Sequence, residues 1–181
     1  TILVDERNED GPLAGSDEAL RVSLRMGESA IIMGEVRGEE ARTLYQSMRT
    51  GKAGSTIMGT IHGDSAVSVF NRVVHDMGID PEAFMATDVI VTLGTVKDRR
   101  TGNLVRRVGE LVSTGREPGA FVDLTDQDSM LGSPVMQRAM KVAQMGRRDV
   151  VKDIRARAAI CSSVLLCTSL AFCRAFRVCE E

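Results

Sequence analysis

Everything else in the sequence is read outward from AIIMGEVRGEE, Ala30 to Glu40. Four apolar residues run without a break into Gly34 and Glu35, with Arg37 two positions on. Ala30-Ile31-Ile32-Met33 lacks the polar alternation of a half-buried strand, so it predicts a strand covered on both faces. A charged cluster directly after such a strand raises the question of what it faces. The next residues, EEARTLYQSMRTG, set Ala41, Leu44, Tyr45 and Met48 on one helical stripe, with Gly51 as a C-terminal stop. Strand, polar turn and helix thus follow one another.

The same grammar repeats on either side. Upstream, TILV predicts a short strand and SDEALRVSLRM a helix capped by Ser16, with Asp17 and Glu18 suited to the dipole of its first turn. Downstream, STIMGTI predicts a strand. DSAVSVFNRVVHDMG then carries Ala66, Val69, Phe70, Val73, Val74 and Met77 at helical spacing, and Asp80 before Pro81 starts a short helix. DVIVTLG predicts one more strand. Strands alternating with helices imply a parallel sheet faced by helices. After Gly94 the pattern changes: TVKDRRTGNLVRRVGELVS reads as an antiparallel hairpin turning at Thr101-Gly102-Asn103. Two helical stretches, SPVMQRAMKVAQM and RDVVKDIRARAAI, complete a smaller C-terminal attachment. The expected division is residues 1–96 as the α/β core, 97–160 as hairpin and helical subdomain, and 161–181 as a separate tail.

Bulk properties narrow the function. A chain of 181 residues can bury a substantial core, and its 23 basic against 25 acidic side chains give no nucleic-acid-coating surface. Five Phe, one Tyr and no Trp leave few stacking platforms for single strands, so no nucleic-acid partner is expected. The opening TILVDE has neither an initiator Met nor a signal pattern, which reads as a piece of a longer cytoplasmic protein.

In open α/β sheets, ligands sit at the carboxyl ends of the strands. Glu35 follows one predicted strand and His62-Gly63-Asp64 follows the next. Taken singly, a carboxylate after a strand is ordinarily solvated, and a histidine beside glycine is ordinarily a turn residue. Together they deliver a carboxylate and an imidazole to one rim. Attack of water on a phosphoryl group wants that pair, one group to orient the water and another to sense the transferred charge. His75, among Val73, Val74 and Met77, reads as structural.

From SLRMGESAIIMGEVRGEEARTLYQSMRTGKAGSTIMGTIHGDSA onward the sequence resembles the type II/IV secretion system protein E family of secretion and type IV pilus ATPases. Its archaeal branch is closest, through GTIHGDS and the continuation FNRVVHDMGIDPEAFMATDVIV. The resemblance is specific over residues 16–112 and looser to about residue 159. It implies a partial RecA-like P-loop NTPase core, α/β in class, working as a homohexameric ring on ATP and Mg²⁺. It also implies a polytopic inner-membrane platform protein as partner, at the cytoplasmic face of the membrane. By this resemblance AIIMGE is similar to a Walker B segment, with Gly34 where many NTPases have aspartate. Glu35 would then position the attacking water and, through water, Mg²⁺. GTIHGD is similar to the His box, with His62 at the γ-phosphate. Arg21 and Arg25, four apart on one helical face, would meet the terminal phosphate or a neighbouring subunit, with a solvated basic stripe as the alternative. Arg37 is the weaker candidate, since Glu39 and Glu40 stand close by.

No G-x-x-x-x-G-K-[ST] occurs in the sequence. The expectation is therefore an ATPase whose Walker A lies upstream of Thr1, with this chain alone binding nucleotide poorly. The alternative is a non-catalytic oligomerisation module. Cys161, Cys167, Cys173 and Cys179 recur every six residues, without the C-x-x-C pairs of a zinc site. The uncharged run around them falls short of a membrane span and departs from the family pattern.

Overall fold

The computed structural model describes residues 2–4, 30–49 and 56–175. The helix expected after Ser16, the stop at Gly51 and Cys179 lie outside the described residues. Strands β1 (Ile2–Val4), β2 (Ala30–Met33) and β3 (Thr56–Gly59) form a parallel sheet in that order, with β2 in the centre. Ala30 pairs with Thr56 and Met33 with Gly59, so β2 and β3 end level with each other. Helix α1 (Gly38–Arg49) buries the predicted stripe: Ala41 and Leu44 pack with Ile31, Met33 and Val36, and half-buried Met48 and Ile57 close the cluster.

A second cluster forms around Phe84, which has no exposed surface. Helix α2 (Ala66–Asn71) contributes Ala66 and Val69, and the chain then widens into a π-helical turn over Arg72–Asp76 that buries Val73. The Met77 N–H reaches back five residues to the Arg72 carbonyl at 3.1 Å. His75 on that turn is exposed, so it is no part of the core. Asp80 caps α3 (Pro81–Phe84) as its sequence predicts, accepting from the Glu82 and Ala83 N–H groups at 2.8 and 3.3 Å.

One strand departs from expectation. DVIVTLG does not extend the parallel sheet. It opens β4 (Val89–Lys97), which runs through Gly94 and pairs antiparallel with β5 (Leu104–Thr114). The physical reason shows in its burial: Ile90 and Thr92 are buried while Val89, Val91 and Leu93 are exposed. A strand covered on one face suits an antiparallel ladder, not a parallel one. The turn falls at the predicted place, where Gly102 has φ +75° and the Asp98 N–H bonds the Asn103 carbonyl. Strand β6 (Phe121–Asp123) completes the antiparallel sheet beside Val112–Thr114.

Helices α4 (Gln127–Gly132), α5 (Pro134–Ala143) and α6 (Arg147–Ala175) follow. The chain divides into two compact units, Thr1–Val135 and Met136–Glu181. In the second, Met140 and Val150 are buried, and α6 continues unbroken through Cys161. Among the described residues no helix is long and apolar enough to cross a membrane.

Candidate functional site

Because β2 and β3 are parallel and end in register, the segments that leave them emerge at one edge of the sheet. Thr60, the first residue after β3, ties the two segments together. Its hydroxyl donates to the Gly34 carbonyl, and its own carbonyl accepts the Val36 N–H at 2.8 Å. The residues on either side of Glu35 are thereby held by a single threonine. Two residues further on stands His62, whose Nε2 lies 3.5 Å from Glu35 Oε1. The imidazole is 80% exposed and the carboxylate 34%, so the pair faces solvent with Glu35 the more recessed.

The turn after His62 is tightly specified. A Cβ on Gly63 would stand 2.6 Å from Val69 Cγ2, so glycine alone allows this close approach to α2. Ser65 and Ser68 form a reciprocal capping box, each side-chain oxygen accepting the other's N–H at 3.1 Å. The Ser68 hydroxyl, followed by its own backbone N–H, holds the exposed Asp64 carboxyl below the ordinary carboxylate range. The N–H of Ala66, the first residue of α2, donates at 2.7 Å to Glu110 Oε2, which comes from β5.

Glu35 and His62 open onto a cleft of about 420 Å³, whose walls also include Gly34, Thr60, Thr95 and Arg106. One wall is the rim of the parallel sheet; the other is the hairpin. The lining offers a carboxylate that can accept a proton, an imidazole and a guanidinium that can face an anion, and two hydroxyls. Among the described residues no group of three metal-ligating side chains occurs. A lone carboxylate suits Mg²⁺ that keeps most of its waters and takes its other ligands from phosphates, so Glu35 fits such an ion through water.

Of the residues singled out by sequence, the structure brings Gly34, Glu35 and His62 together at this cleft. Arg37 is exposed and lies outside the cleft walls, and Glu40, its neighbour in sequence, is buried. Arg21 and Arg25 lie outside the described residues. Sequence reasoning missed Thr60, Thr95 and Arg106. Arg106 and Arg107 are both exposed on β5, so no cost of burying charge marked Arg106 in the sequence.

The profile of the family described as Type II/IV secretion system protein matches residues 9–159. Over 146 residues the chain is 28% identical to the type IV pilus retractation ATPase PilT of Pseudomonas aeruginosa, covering 79% of this chain and 38% of that protein. The chain therefore spans about two fifths of the length of that curated relative. A stretch of 56 residues is 39% identical to the uncharacterized protein MJ1287 of Methanocaldococcus jannaschii, covering 31% of this chain and 20% of the other. Among solved structures, the pilus retraction motor PilT with bound ADP aligns with a TM-score of 0.42 and 18% identity, over 74% of this chain and 36% of that one.

Proposed function

The chain belongs to the type II/IV secretion system protein family, and from that premise we propose that it supplies the Glu/His side of an ATPase site in a secretion or pilus-assembly motor. The observation that carries the reading is the 3.5 Å approach of His62 Nε2 to Glu35 Oε1 at the rim where two parallel strands end. Glu35 orients a water and takes its proton as the water oxygen bonds to the terminal phosphorus and the bond to the ADP oxygen breaks. His62 donates to an oxygen of the phosphate in flight. Arg106, on the opposite wall, offsets the negative charge that builds there. Glu35 would hold a magnesium ion through water, and the ion would supply charge neutralisation. The backbone amides and lysine of a phosphate-binding loop come from outside these 181 residues, which hold no G-x-x-x-x-G-K-[ST].

The motor we infer is a homohexameric ring at the cytoplasmic face of a membrane, acting on a polytopic platform protein. Family membership and the ATPase named among its relatives support this. The second reading is that the chain is a non-catalytic oligomerisation module. One experiment separates them. In a chain that joins a phosphate-binding loop to these residues, Glu35→Gln should keep nucleotide affinity and lower turnover by about 100-fold or more, since an amide cannot accept the proton. Near-normal hydrolysis would remove Glu35 from its role. A loop-bearing parent that hydrolyses nothing would select the second reading.

A further inference from the structure

The turn that presents His62 is held partly from inside and partly from far along the chain. The Asp64 and Ser65 N–H groups both donate to Ser68 Oγ at 3.1 Å, a local arrangement. The next N–H, that of Ala66, goes instead to Glu110, 44 residues away, in the shortest of the three bonds at 2.7 Å. An ionised acceptor makes such a bond shorter and stronger, and a carboxylate at a helix N-terminus is favoured by the dipole.

Glu110 owes its place to an irregularity in the hairpin. Val91 pairs with Leu111 and Leu93 with Val108, so Gly109 and Glu110 on β5 stand opposite Thr92 alone. Bulges of this kind re-aim a side chain and recur beside active sites. The Glu110 N–H is in turn anchored to Thr92 Oγ1 at 2.8 Å. Four residues earlier, the same strand places Arg106 in the cleft wall.

We propose that Glu110 is a positioning residue for His62: through its carboxylate the hairpin sets the turn that aims the imidazole at the cleft. Strand β5 then acts on the cleft twice, directly with Arg106 and indirectly by holding His62. A shift of the hairpin is transmitted to Arg106 and His62 at once. The importance of that aim rests on the ATPase reading above; the mechanical link itself does not.

The test uses the 181-residue chain without nucleotide, so its outcome is independent of whether ATP is hydrolysed. With only two histidines, His62 reports the turn by its ring proton resonances, and His75 on the π-helical turn serves as the internal control. Glu110→Ala should raise exchange of the Ala66 amide about tenfold and shift the His62 resonances while those of His75 stay put. Glu110→Gln, which keeps an oxygen acceptor of the same reach, should restore both. Glu110→Asp, one methylene short, should move His62 in the same direction as alanine, and decides the matter if the alanine variant does not fold. Unmoved His62 resonances in the alanine or aspartate variant would overturn the proposal, leaving Glu110 a helix cap. So would a glutamine variant as displaced as alanine.

Discussion

The root and the tip of the β4–β5 hairpin are continuous along the same two strands, yet they are held by different forces. At the root, Ile90 is buried in the cluster that contains Phe84, and Val112 and Phe121 pack against that cluster. Hydroxyls reinforce it: Thr114 Oγ1 donates to the Thr87 carbonyl at 2.7 Å, and Thr87 Oγ1 stands 3.1 Å from the Tyr45 hydroxyl. Toward the tip, Leu93, Val96, Leu104 and Val108 are exposed, Leu104 by 74%. Order there comes from the main-chain ladder and from turn chemistry. The cleft's hairpin wall, Leu93, Thr95 and Arg106, lies just past the point where burial gives out. A ladder anchored at one end only is suited to carry a functional side chain on a movable arm.

The contrast would break most plainly at Phe84. Its ring lies 6.1 Å from Tyr45, 5.0 Å from Phe70 and 6.4 Å from Phe121, centroid to centroid, the last two edge-on. Phe84→Ala should cost about 3–5 kcal/mol, read by urea unfolding followed by circular dichroism. Burial also pushes the Tyr45 hydroxyl above its ordinary pKa, against a smaller opposing effect of Thr87. A cost under about 1 kcal/mol would mean that the exposed ladder, not the aromatic cluster, holds the root.

A smaller effect is expected at the opposite wall, where Thr60 spans the residues flanking Glu35. Thr60→Val keeps the shape and removes the donor to the Gly34 carbonyl. Stability should fall by about 1 kcal/mol, and Thr60→Ser should recover it. The variant sharpens the comparison, because this wall is fixed by a specific hydrogen bond and the hairpin wall by repeated ladder bonds. An unchanged melting temperature in Thr60→Val would show that the β2–β3 ladder suffices.

How much of this was legible in the sequence follows from which interactions are local. The order β2, α1, β3, α2 was readable, because apolar periodicity and capping residues such as Asp80 act within a few positions. Glu35 and His62 were readable as a pair, because parallel strands deliver whatever follows them to one edge. The sheet that DVIVTLG joins was not, since an apolar strand of that length suits either partner and its neighbour is chosen by long-range pairing. Nor was Arg106. Its place in the cleft depends on how the hairpin folds back over the rim, which no spacing within the strand encodes. Glu110 was invisible for the same reason: the bulge that aims it is a property of two strands together.

The last and smallest expected effect lies at the tip. Asp98 Oδ1 accepts the Arg100 and Thr101 N–H groups at 2.8 and 2.9 Å, and Oδ2 lies 4.0 Å from Arg107 Nη2. The Thr101 N–H first, and the Arg100 N–H after it, hold this exposed carboxyl below its ordinary value. A folded-state pKa below the unfolded one contributes order above the unfolded value, about 3.9, and loses it as pH falls through the folded value. Amide protection at Arg100 and Thr101 should therefore decline in the acid window below about pH 4, judged as protection factors so that the intrinsic pH dependence of exchange cancels. Asp98→Asn, which accepts without titrating, should show no such decline. If tip and root are held independently, the Tyr45–Thr87–Thr114 region keeps its protection across that window. A simultaneous loss at both ends would mean that the turn, through the ladder, also holds the root.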